Sequence, residues 1–420
     1  MLQIQAPRRI IPRHLESVVR SDLADFPVVT IVGPRQAGKS TLARELIRTG
    51  YDAQYVSLDD PQQLAAAERD PPGFVEQLSE RAVIDEVQRV PELILAIKSS
   101  VDRDRRAGRF VITGSANVFT LPKVADSLVG RTSLRTLWPL SQGEIAGHRE
   151  RFLNAVFSPK VEAVEEHRDI KRDVLVRALK GGFPEILQLR SEDAVRTWFG
   201  SYVTTVIQRE IRDIRNVAGL REMPQILSLL AARSMSVLNR AELSRSLEMD
   251  ARTLSRYLAL LWQTYLIQLI PSWSGGLGRR LVRHPKVMIS DTGLLGYLQQ
   301  VDLDRFTNDP TFGGPILENF VAAELVRQQS WTDKRITLYH FRSHERAEVD
   351  LILERSDGMV VGVEVKSKSL ATGDDLRGLR ALAERSGKKF VRGILLYTGR
   401  HTLSYAKNLH IMPISALWKI

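Results

Sequence analysis

Apolar runs and helical patterns alternate along the N-terminal part of the chain. Short β-branched runs predict buried strands in FPVVTIV, RAVID and GRFVITG, and a helical pattern follows the first run. Strands that are buried on both sides usually pair in parallel sheets whose faces are covered by helices. The pattern therefore predicts an α/β fold for this part, built on a parallel sheet.

Two short helical patterns follow each other in the central segment LNRAELSRSLEMDARTLSRYLALLWQTYLI. Asn239 is the predicted N-cap of the first, with Glu242 three residues later, and Asp250 is the predicted N-cap of the second. This is helix-turn-helix spacing. The inward residues of the second helix are Leu254, Leu258 and Leu261. Its outward residues, which would meet a DNA groove, are Arg252, Ser255 and Arg256.

Basic residues flank this segment on both sides. The following stretch, LIQLIPSWSGGLGRRLVRHPKVMISD, predicts a β wing with Arg279, Arg280 and Arg283. Winged helices bind DNA, but they also dock proteins or form parts of ATPase lids, and these alternatives stay open. The preceding residues 146–216 predict a helical lid or connector, in which arginines recur at three-residue spacing: Arg209, Arg212 and Arg215. A solvated basic face is the favoured explanation, and contact with nucleic-acid phosphate is the alternative.

Strict alternation marks the stretch AEVDLILERSDGMVVGVEVKSK as a hairpin with a turn at Asp357. A turn centred there sets Asp350 opposite Glu364 and Glu348 opposite Lys366, on one polar face. Opposed carboxylates are destabilising unless a positive charge compensates them. A divalent cation is therefore one hypothesis, and a solvated hairpin face is the other.

Length and charge narrow the functional classes. A chain of 420 residues is long for one core, so two to four domains are expected. The formal net charge of +11 favours polyanionic partners, nucleic acid before membrane surfaces. The chain has no cysteine, which excludes disulfides and thiolate metal sites. The N-terminus has no sustained apolar run, and the longest uncharged run contains polar residues, so we expect a cytoplasmic protein without a membrane partner.

The motif G-x-x-x-x-G-K-S lies between the first predicted strand and the following helix, which is the context of a phosphate-binding loop. Its backbone amides and the helix N-terminus would bind ATP phosphates. Lys39 would reach the β and γ phosphates, and the Ser40 hydroxyl would bind Mg²⁺. The predicted nucleotide-binding residues of this loop are Gly33, Pro34, Arg35, Gln36, Ala37, Gly38, Lys39, Ser40 and Thr41.

Two acids end the second predicted strand. Asp85 would hold Mg²⁺ through water, and Glu86 would polarise the attacking water, because nucleotides bind at the carboxyl edge of parallel sheets. The third predicted strand ends in small polar residues, of which one would sense the γ-phosphate: Thr113, Ser115 or Asn117. Ser115 is the preferred candidate, and a helix N-cap or turn serine is the alternative.

These motifs resemble AAA-type P-loop ATPases, and in particular a bacterial and archaeal family that joins such an ATPase to a C-terminal domain of unknown function. The segments that carry the resemblance are GPRQAGKST, VIDEVQ, FVITGS, LVGRTSLRTLWPLSQGE, GGFPEIL, HPKVMISDTGLLGYL and GPILENFVAAEL. The resemblance implies ATP hydrolysis and a homo-oligomer, with a hexamer as the family-level expectation. It also makes Arg131 the candidate arginine finger from a neighbouring subunit; a solvated arginine paired with Asp126 is the alternative.

The C-terminal part resembles restriction-endonuclease-like, metal-dependent nucleases. The resemblance rests on a helix with Glu318, a strand, and then Asp350, Glu364 and Lys366 in D-x(13)-E-x-K. It implies Mg²⁺ or Mn²⁺ bound by Asp350, Glu364 and the Val365 carbonyl, with Glu318 completing the ligands, Glu348 as a neighbour and Lys366 orienting water. His340 and His344 are expected at the surface or behind the ligands.

Together these features predict five regions: a leader (1–20), an AAA-type ATPase (21–145), a helical connector (146–216), a winged helix (217–303) and a nuclease-like α/β domain (304–420). The predicted function is ATP hydrolysis coupled to DNA binding and to metal-dependent cleavage. Two alternatives remain: a nucleotide-dependent switch with an inactive nuclease-like domain, and a DNA-binding regulator.

Overall fold

Three sheets organise the residues that this computed structural model describes, namely 10–114, 128–166, 170–211, 222–274, 284–342 and 347–420. They are an N-terminal five-stranded sheet, a central two-stranded sheet and a C-terminal six-stranded sheet. Helices cover the larger sheets. The fold class is α/β, as the sequence predicts.

The N-terminal sheet has the strand order β2-β3-β4-β1-β5, and all its pairs are parallel. Its strands are β1 (Val28–Val32), β2 (Gln54–Ser57), β3 (Ala82–Asp85), β4 (Phe110–Gly114) and β5 (Thr132–Thr136). The first five helices are α1 (Leu15–Asp25), α2 (Lys39–Arg48), α3 (Pro61–Arg69), α4 (Pro71–Glu76) and α5 (Leu93–Arg103). Helix α1 begins inside the predicted leader and buries Leu15 and Val19 beside β1.

Helices dominate the middle of the chain. They are α6 (Gln142–Ala146), α7 (Phe152–Ala155), α8 (Lys171–Lys180) and α9 (Glu192–Thr205), which continues as a π-helix over Val206–Ile211. Next come α10 (Met223–Ala232), α11 (Arg240–Ser246) and α12 (Ala251–Gln263). The antiparallel strands β6 (Ile267–Ile270) and β7 (Lys286–Ile289) follow.

The predicted caps of the two central helices are confirmed. The Asn239 side chain accepts from the Glu242 amide at the start of α11, and Asp250 accepts from two amides at the start of α12. The three leucines predicted to face inward are buried. Between α10 and α11, Val237 forms a bridge with Lys286 of β7. The wing arginines at 279, 280 and 283 lie outside the described residues, as do Arg212 and Arg215.

The C-terminal sheet is mixed, with the order β12-β13-β11-β10-β9-β8. Its strands are β8 (Ile336–Arg342), β9 (Glu348–Arg355), β10 (Val360–Lys366), β11 (Phe390–Tyr397), β12 (Leu403–Ala406) and β13 (Leu409–Pro413). The helices in this part of the chain are α13 (Thr292–Gln299), α14 (Leu303–Asn308), α15 (Pro310–Gln329), α16 (Arg377–Ser386) and α17 (Ala416–Lys419). Four short 3₁₀ helices span Val87–Arg89, Ile186–Gln188, Gly373–Leu376 and Gly387–Lys389 in the described part.

The register of the predicted hairpin is confirmed. Val360 pairs with Glu354 and Val363 pairs with Leu351, as a turn centred on Asp357 requires. This register puts the valines of β10 into the core and leaves the acids on the polar face.

One hydrophobic core joins the middle and the C-terminal parts of the chain. It runs from Phe152 on α7 through the central helices to the inner face of the C-terminal sheet and Ile420. The N-terminal sheet has two other cores, one on each face. None of the described helices is long and apolar enough to cross a membrane.

Candidate nucleotide site and acid cluster

Strand β1 leads directly into the phosphate-binding loop at the carboxyl edge of the N-terminal sheet. Gly33 has a φ of 145°, and a Cβ there would lie 2.2 Å from the Leu137 carbonyl oxygen, so a side chain does not fit. Gly38 has a φ of 99° and precedes α2, whose first residue is Lys39. The loop therefore curls at the helix N-terminus, where backbone amides favour anions.

Lys39 and Ser40 make the side-chain contacts of this loop. The buried Lys39 ammonium donates to the carbonyl oxygens of Gly33 and Pro34, at 2.9 Å each. The Ser40 hydroxyl donates to Asp85 Oδ1 at 3.1 Å. A hydroxyl and a carboxylate are the hard oxygen donors that Mg²⁺ prefers, so these two residues fit the ion that the phosphate-binding loop implies.

Asp85 accepts three side-chain hydrogen bonds at the end of β3. Besides Ser40, the donors are Tyr55 on β2, at 2.8 Å, and Thr113 at the end of β4. Burial, followed by the hydrogen bond to Asp85, raises the pKa of Tyr55. The neutral phenol therefore keeps its proton and fixes the carboxylate.

Glu86 occupies a strained position next to Asp85. Its φ is 62°, in the left-handed region that non-glycine residues rarely adopt, and its amide donates to the Thr113 hydroxyl at 3.1 Å. Gln88 donates to its carboxyl group. Burial raises the pKa of Glu86.

The remaining loop residues and the sensor candidates lie in different surroundings. Arg35 and Gln36 line a cavity of about 130 Å³ together with Trp198 and Tyr202 of α9. Thr41 is exposed. Ser115 and Asn117 lie outside the described residues. The Thr113 hydroxyl donates to the Asp85 carboxylate and accepts from the Glu86 amide.

Arg131 lies at the edge of the sheet opposite the phosphate-binding loop. Its carbonyl oxygen accepts from the Val28 amide at the beginning of β1, whereas the loop follows the end of that strand. Its guanidinium pairs with Asp102 of α5 at 2.6 Å. Arg131 therefore does not reach the phosphate-binding loop of its own chain.

The acids of the C-terminal part gather around a lysine that does not come from the hairpin. Helix α15 places Glu318, and β9 places Glu348 and Asp350. The Lys286 ammonium of β7 lies 2.7 Å from Glu318 Oε1, 3.1 Å from Glu348 Oε1 and 3.9 Å from Asp350 Oδ1. We call these four residues, with Glu364, the acid cluster.

The hairpin residues complete this arrangement. Asp350 Oδ2 accepts from the Val365 amide at 2.9 Å, and Lys366 pairs with Glu364 at 2.6 Å. Burial and the Asp350 charge raise the pKa of Glu318 to about 8 and that of Glu364 to about 7. Burial opposes the charge of Lys286, but the three carboxylates outweigh it and raise its pKa.

This arrangement does not fit a divalent ion. The Lys286 ammonium lies between the carboxylates of Glu318, Glu348 and Asp350. No group of three metal-ligating side chains in the described part of the chain is arranged to hold a metal. His340 is buried rather than at the surface, and its Nε2 lies 3.2 Å from the His284 carbonyl oxygen. Burial and Lys286 lower the pKa of His340 to about 4. His344 lies outside the described residues.

Comparisons with known proteins identify an AAA domain in the N-terminal part of the chain. The family model of an AAA domain matches residues 25–146, and two domains of unknown function, DUF8612 and DUF4143, match residues 171–305 and 313–417. Uncharacterized proteins of Mycobacterium tuberculosis and Mycobacterium bovis are each 30% identical over 406 residues, which is 96% of this chain and 83% of theirs. The chain belongs to this family of AAA-domain proteins.

A more distant relative and a solved structure extend the comparison. An uncharacterized protein of Methanocaldococcus jannaschii is 23% identical over 84% of this chain and 77% of its own length. A Walker-type ATPase of Pyrococcus abyssi has a TM-score of 0.44 and 15% identity, over 70% of this chain and 99% of that one. The DUF4143 match covers the predicted nuclease-like part and assigns it no activity.

In this AAA protein, a buried polar chain connects the phosphate-binding loop with α15. Arg13 donates to the Ala37 carbonyl oxygen in the loop at 2.7 Å and to Glu144 Oε1 at 3.1 Å. The Gln142 amide at the start of α6 donates to Glu324 of α15 at 2.9 Å. Farther along α15, Arg327 pairs with Glu324 and, at 3.0 Å, with Asp291.

Glu150 lies within the same buried chain. Its carboxyl group accepts from the Ser141 hydroxyl at 2.5 Å and from the Gly143 amide at 3.0 Å. Burial and the nearby charge of Glu324 raise the pKa of Glu150 to about 9. Glu150 therefore keeps its proton at neutral pH.

Lys286, Arg13 and the acids of this polar chain lie outside the sequence motifs that predicted the two sites. Lys286 stands in a short apolar stretch, PKVMI, where a lysine inside a predicted strand was a usable signal. Arg13 and Glu144 are 131 positions apart, and no local pattern marks their contact.

Proposed function

We propose that this chain is a Mg²⁺-dependent ATPase whose nucleotide state is transmitted to its C-terminal part. The observation that supports hydrolysis most directly is the contact between Ser40 and Asp85, which brings the loop hydroxyl and the strand carboxylate together beside Lys39. Both residues would hold Mg²⁺, and the bound ion would neutralise charge on the phosphates.

Each residue of the site has a role in this proposal. The loop amides and Lys39 bind the phosphates, for which Lys39 exchanges two neutral carbonyl acceptors for phosphate oxygens. Glu86 accepts the proton of the attacking water, and its strained backbone fixes its position. Thr113 orients both acids. It takes the place of Ser115 as our candidate for sensing the γ-phosphate.

The proposal assigns transmission to the polar chain. Arg13 contacts the loop backbone, and Glu324 and Arg327 belong to the same helix as Glu318 of the acid cluster. A shift of the loop on ATP binding would change the Arg13 contact and bias the position of α15. A nucleotide-dependent switch is thus favoured over cleavage, because Lys286 fills the acid cluster.

The test of hydrolysis compares wild-type turnover with that of Lys39→Ala and Glu86→Gln. We expect both variants to lose turnover, while Glu86→Gln still binds a fluorescent ATP analogue. Arg48→Ala, at the far end of α2, serves as the matched control and should retain wild-type turnover. Unchanged turnover in Glu86→Gln would refute the assigned role of Glu86.

The test of transmission is hydrogen exchange in the Glu86→Gln background, with and without ATP. We expect ATP to change exchange in α6 and α15, and Arg13→Met to abolish that change while ATP binding persists. An ATP-independent exchange pattern in α15 would show that the loop does not communicate with the C-terminal part.

A second candidate function is DNA binding by the central module. The order of α10, Val237, α11, α12, β6 and β7 supports a winged helix, and α12 leaves Arg252, Ser255 and Arg256 exposed. Fluorescence anisotropy with duplex DNA over a salt series tests it. The double change Arg252→Ala, Arg256→Ala should weaken binding and reduce the salt slope by about 2. The control, Arg48→Ala with Arg103→Ala, should leave the DNA affinity and the salt slope unchanged.

We also propose a homo-oligomer, with a hexamer as the expected size. Its support is the position of Arg131, which lies away from its own phosphate-binding loop; reaching a neighbouring site requires its ion pair with Asp102 to open. Mixing Arg131→Ala chains with Lys39→Ala chains tests this arrangement. If Arg131 acts on the neighbouring site, the mixture regains turnover that neither variant has alone; no regain would argue against the role.

A further inference from the structure

The acid cluster contains a cation that belongs to the chain itself. The Lys286 side chain is 2% exposed, and its ammonium contacts two carboxylates at hydrogen-bonding distance with a third at 3.9 Å. A buried ammonium is stable only when charges and hydrogen bonds compensate its lost hydration. Glu318 and Glu348 supply the compensating charge and accept the hydrogen bonds, so they stabilise the buried ammonium.

The same space cannot hold this ammonium and a divalent ion together. Divalent ions in proteins need several oxygen ligands at about 2.0–2.6 Å, and here an oxygen of Glu318 and one of Glu348 already contact Lys286. An added ion would also lie beside a positive charge in a region with little water to screen it. Ion entry therefore requires the Lys286 side chain to leave.

The backbone of Lys286 restricts such a departure. Lys286 is the first residue of β7, where it pairs with Ile270 of β6 and forms the bridge with Val237. Both neighbours belong to the central module, whereas the three carboxylates belong to α15 and β9. The contact thus joins the central module to the C-terminal sheet.

We propose that Lys286 is the resident cation of the acid cluster: it takes the place of a divalent ion and fastens β7 to the C-terminal sheet, so that the cluster binds no divalent ion while β7 is paired with β6. The proposal is independent of ATP hydrolysis, since it concerns residues outside the nucleotide site. It assigns the hairpin acids a structural role in place of the metal binding that their spacing suggested.

The test measures Mn²⁺ binding to the full chain without nucleotide or DNA, by calorimetry and by the electron paramagnetic resonance signal of free Mn²⁺. Wild type and Asp350→Asn should bind Mn²⁺ equally. Lys286→Met should gain one Asp350-dependent site, with a Kd at least about tenfold lower than any wild-type binding, since affinity follows the charge of the ligand set. The gain should disappear in the double variant Lys286→Met, Asp350→Asn.

Thermal unfolding gives a second readout of the same proposal. Mn²⁺ should raise the Tm of Lys286→Met and leave that of wild type and of Lys368→Met unchanged. Lys368 is a suitable control because it pairs with one acid, Asp375, at 2.7 Å and is 45% exposed. If Lys286→Met does not fold, Lys286→Gln, which keeps a hydrogen-bond donor, replaces it.

Two outcomes would overturn the proposal. The first is Mn²⁺ binding by the wild type that is lost in Asp350→Asn. This comparison does not depend on whether the Lys286 variants fold. The second is a folded Lys286 variant that gains no Mn²⁺ site, which would mean that the carboxylates do not form a cation-binding space.

Discussion

The nucleotide site and the acid cluster each combine a buried lysine with carboxylates, yet they hold the lysine differently. Lys39 contacts two neutral carbonyl oxygens of its own loop, at 2.9 Å each. Lys286 contacts the carboxylates themselves. An ammonium group that donates to neutral carbonyl oxygens can exchange them for phosphate oxygens. An ammonium group that neutralises buried carboxylates stays in contact with them.

The difference shows that two acids and a lysine do not define a metal site by their spacing. In both regions the sequence predicts a divalent ion beside carboxylates. At the nucleotide site Ser40 and Asp85 contact each other and supply hard oxygen donors, whereas in the acid cluster the Lys286 ammonium contacts the carboxylates themselves.

The largest expected effect is on ATP turnover at the nucleotide site. Lys39→Ala removes the ammonium that compensates phosphate charge, so turnover should fall by about 10²–10³-fold or more. Steady-state phosphate release measures this loss. If the turnover of Lys39→Ala lies within a factor of two of that of Arg48→Ala, Lys39 does not bind the phosphates, and the proposed difference between Lys39 and Lys286 is wrong.

Glu86→Gln should reduce turnover by about 10²-fold or more, since general base catalysis commonly contributes that much. ATP binding should stay near its wild-type level, which filter binding can check. Parallel loss of ATP binding would show that Glu86 shapes the site instead of accepting a proton.

At the acid cluster the expected effect is on stability. Lys286→Met leaves buried acids without their partner, so the free energy of unfolding of the part that contains them should fall by about 3–5 kcal/mol. The control Lys368→Met breaks a single ion pair whose lysine is 45% exposed, and it should lose about 0–1 kcal/mol. Urea unfolding followed by circular dichroism compares the two, and similar losses would contradict the fixed role of Lys286.

The last expected effect is a pH dependence of stability that arises from the polar chain between the two sites. The pKa of Glu150 is about 9 in the folded chain and 4.5 in an unfolded one. The folded state therefore keeps a proton that the unfolded state loses, so this group's contribution to stability is fully present below about 4.5 and declines as pH rises to about 9. Glu150→Gln should show a smaller decline between pH 5 and 9.

The matched control for this pH experiment is Glu162→Gln, which changes an exposed glutamate. It should follow the wild-type decline in urea midpoints across the same pH range. If Glu150→Gln also follows the wild type, burial of Glu150 does not set the pH dependence.

Local patterns predicted much of the fold. The strand runs, both helix caps and the hairpin register depend on neighbours within a few residues, and all of them agree with the structure. The positions of Gly33 and Gly38 were also predictable from the local motif, because the tight loop needs positive φ angles that other residues avoid.

The interactions that the sequence did not reveal are long-range. Lys286 meets Glu318, Glu348 and Asp350 only after three elements pack together, and Arg13 meets Glu144 across the N-terminal part. Charge compensation depends on the position of each atom in the folded chain, so the partner of a buried acid cannot be inferred from the acid's own neighbours.

The hydrophobic core that joins the middle of the chain to the C-terminal sheet has a practical consequence for anyone dividing this protein into fragments. A fragment that begins at residue 304 would expose the apolar faces of α15 and the sheet, and it would also lack Lys286. Aggregation or ion uptake by such a fragment would then reflect the cut and not the native protein. A fragment suited to experiments would keep the central helices together with the C-terminal sheet.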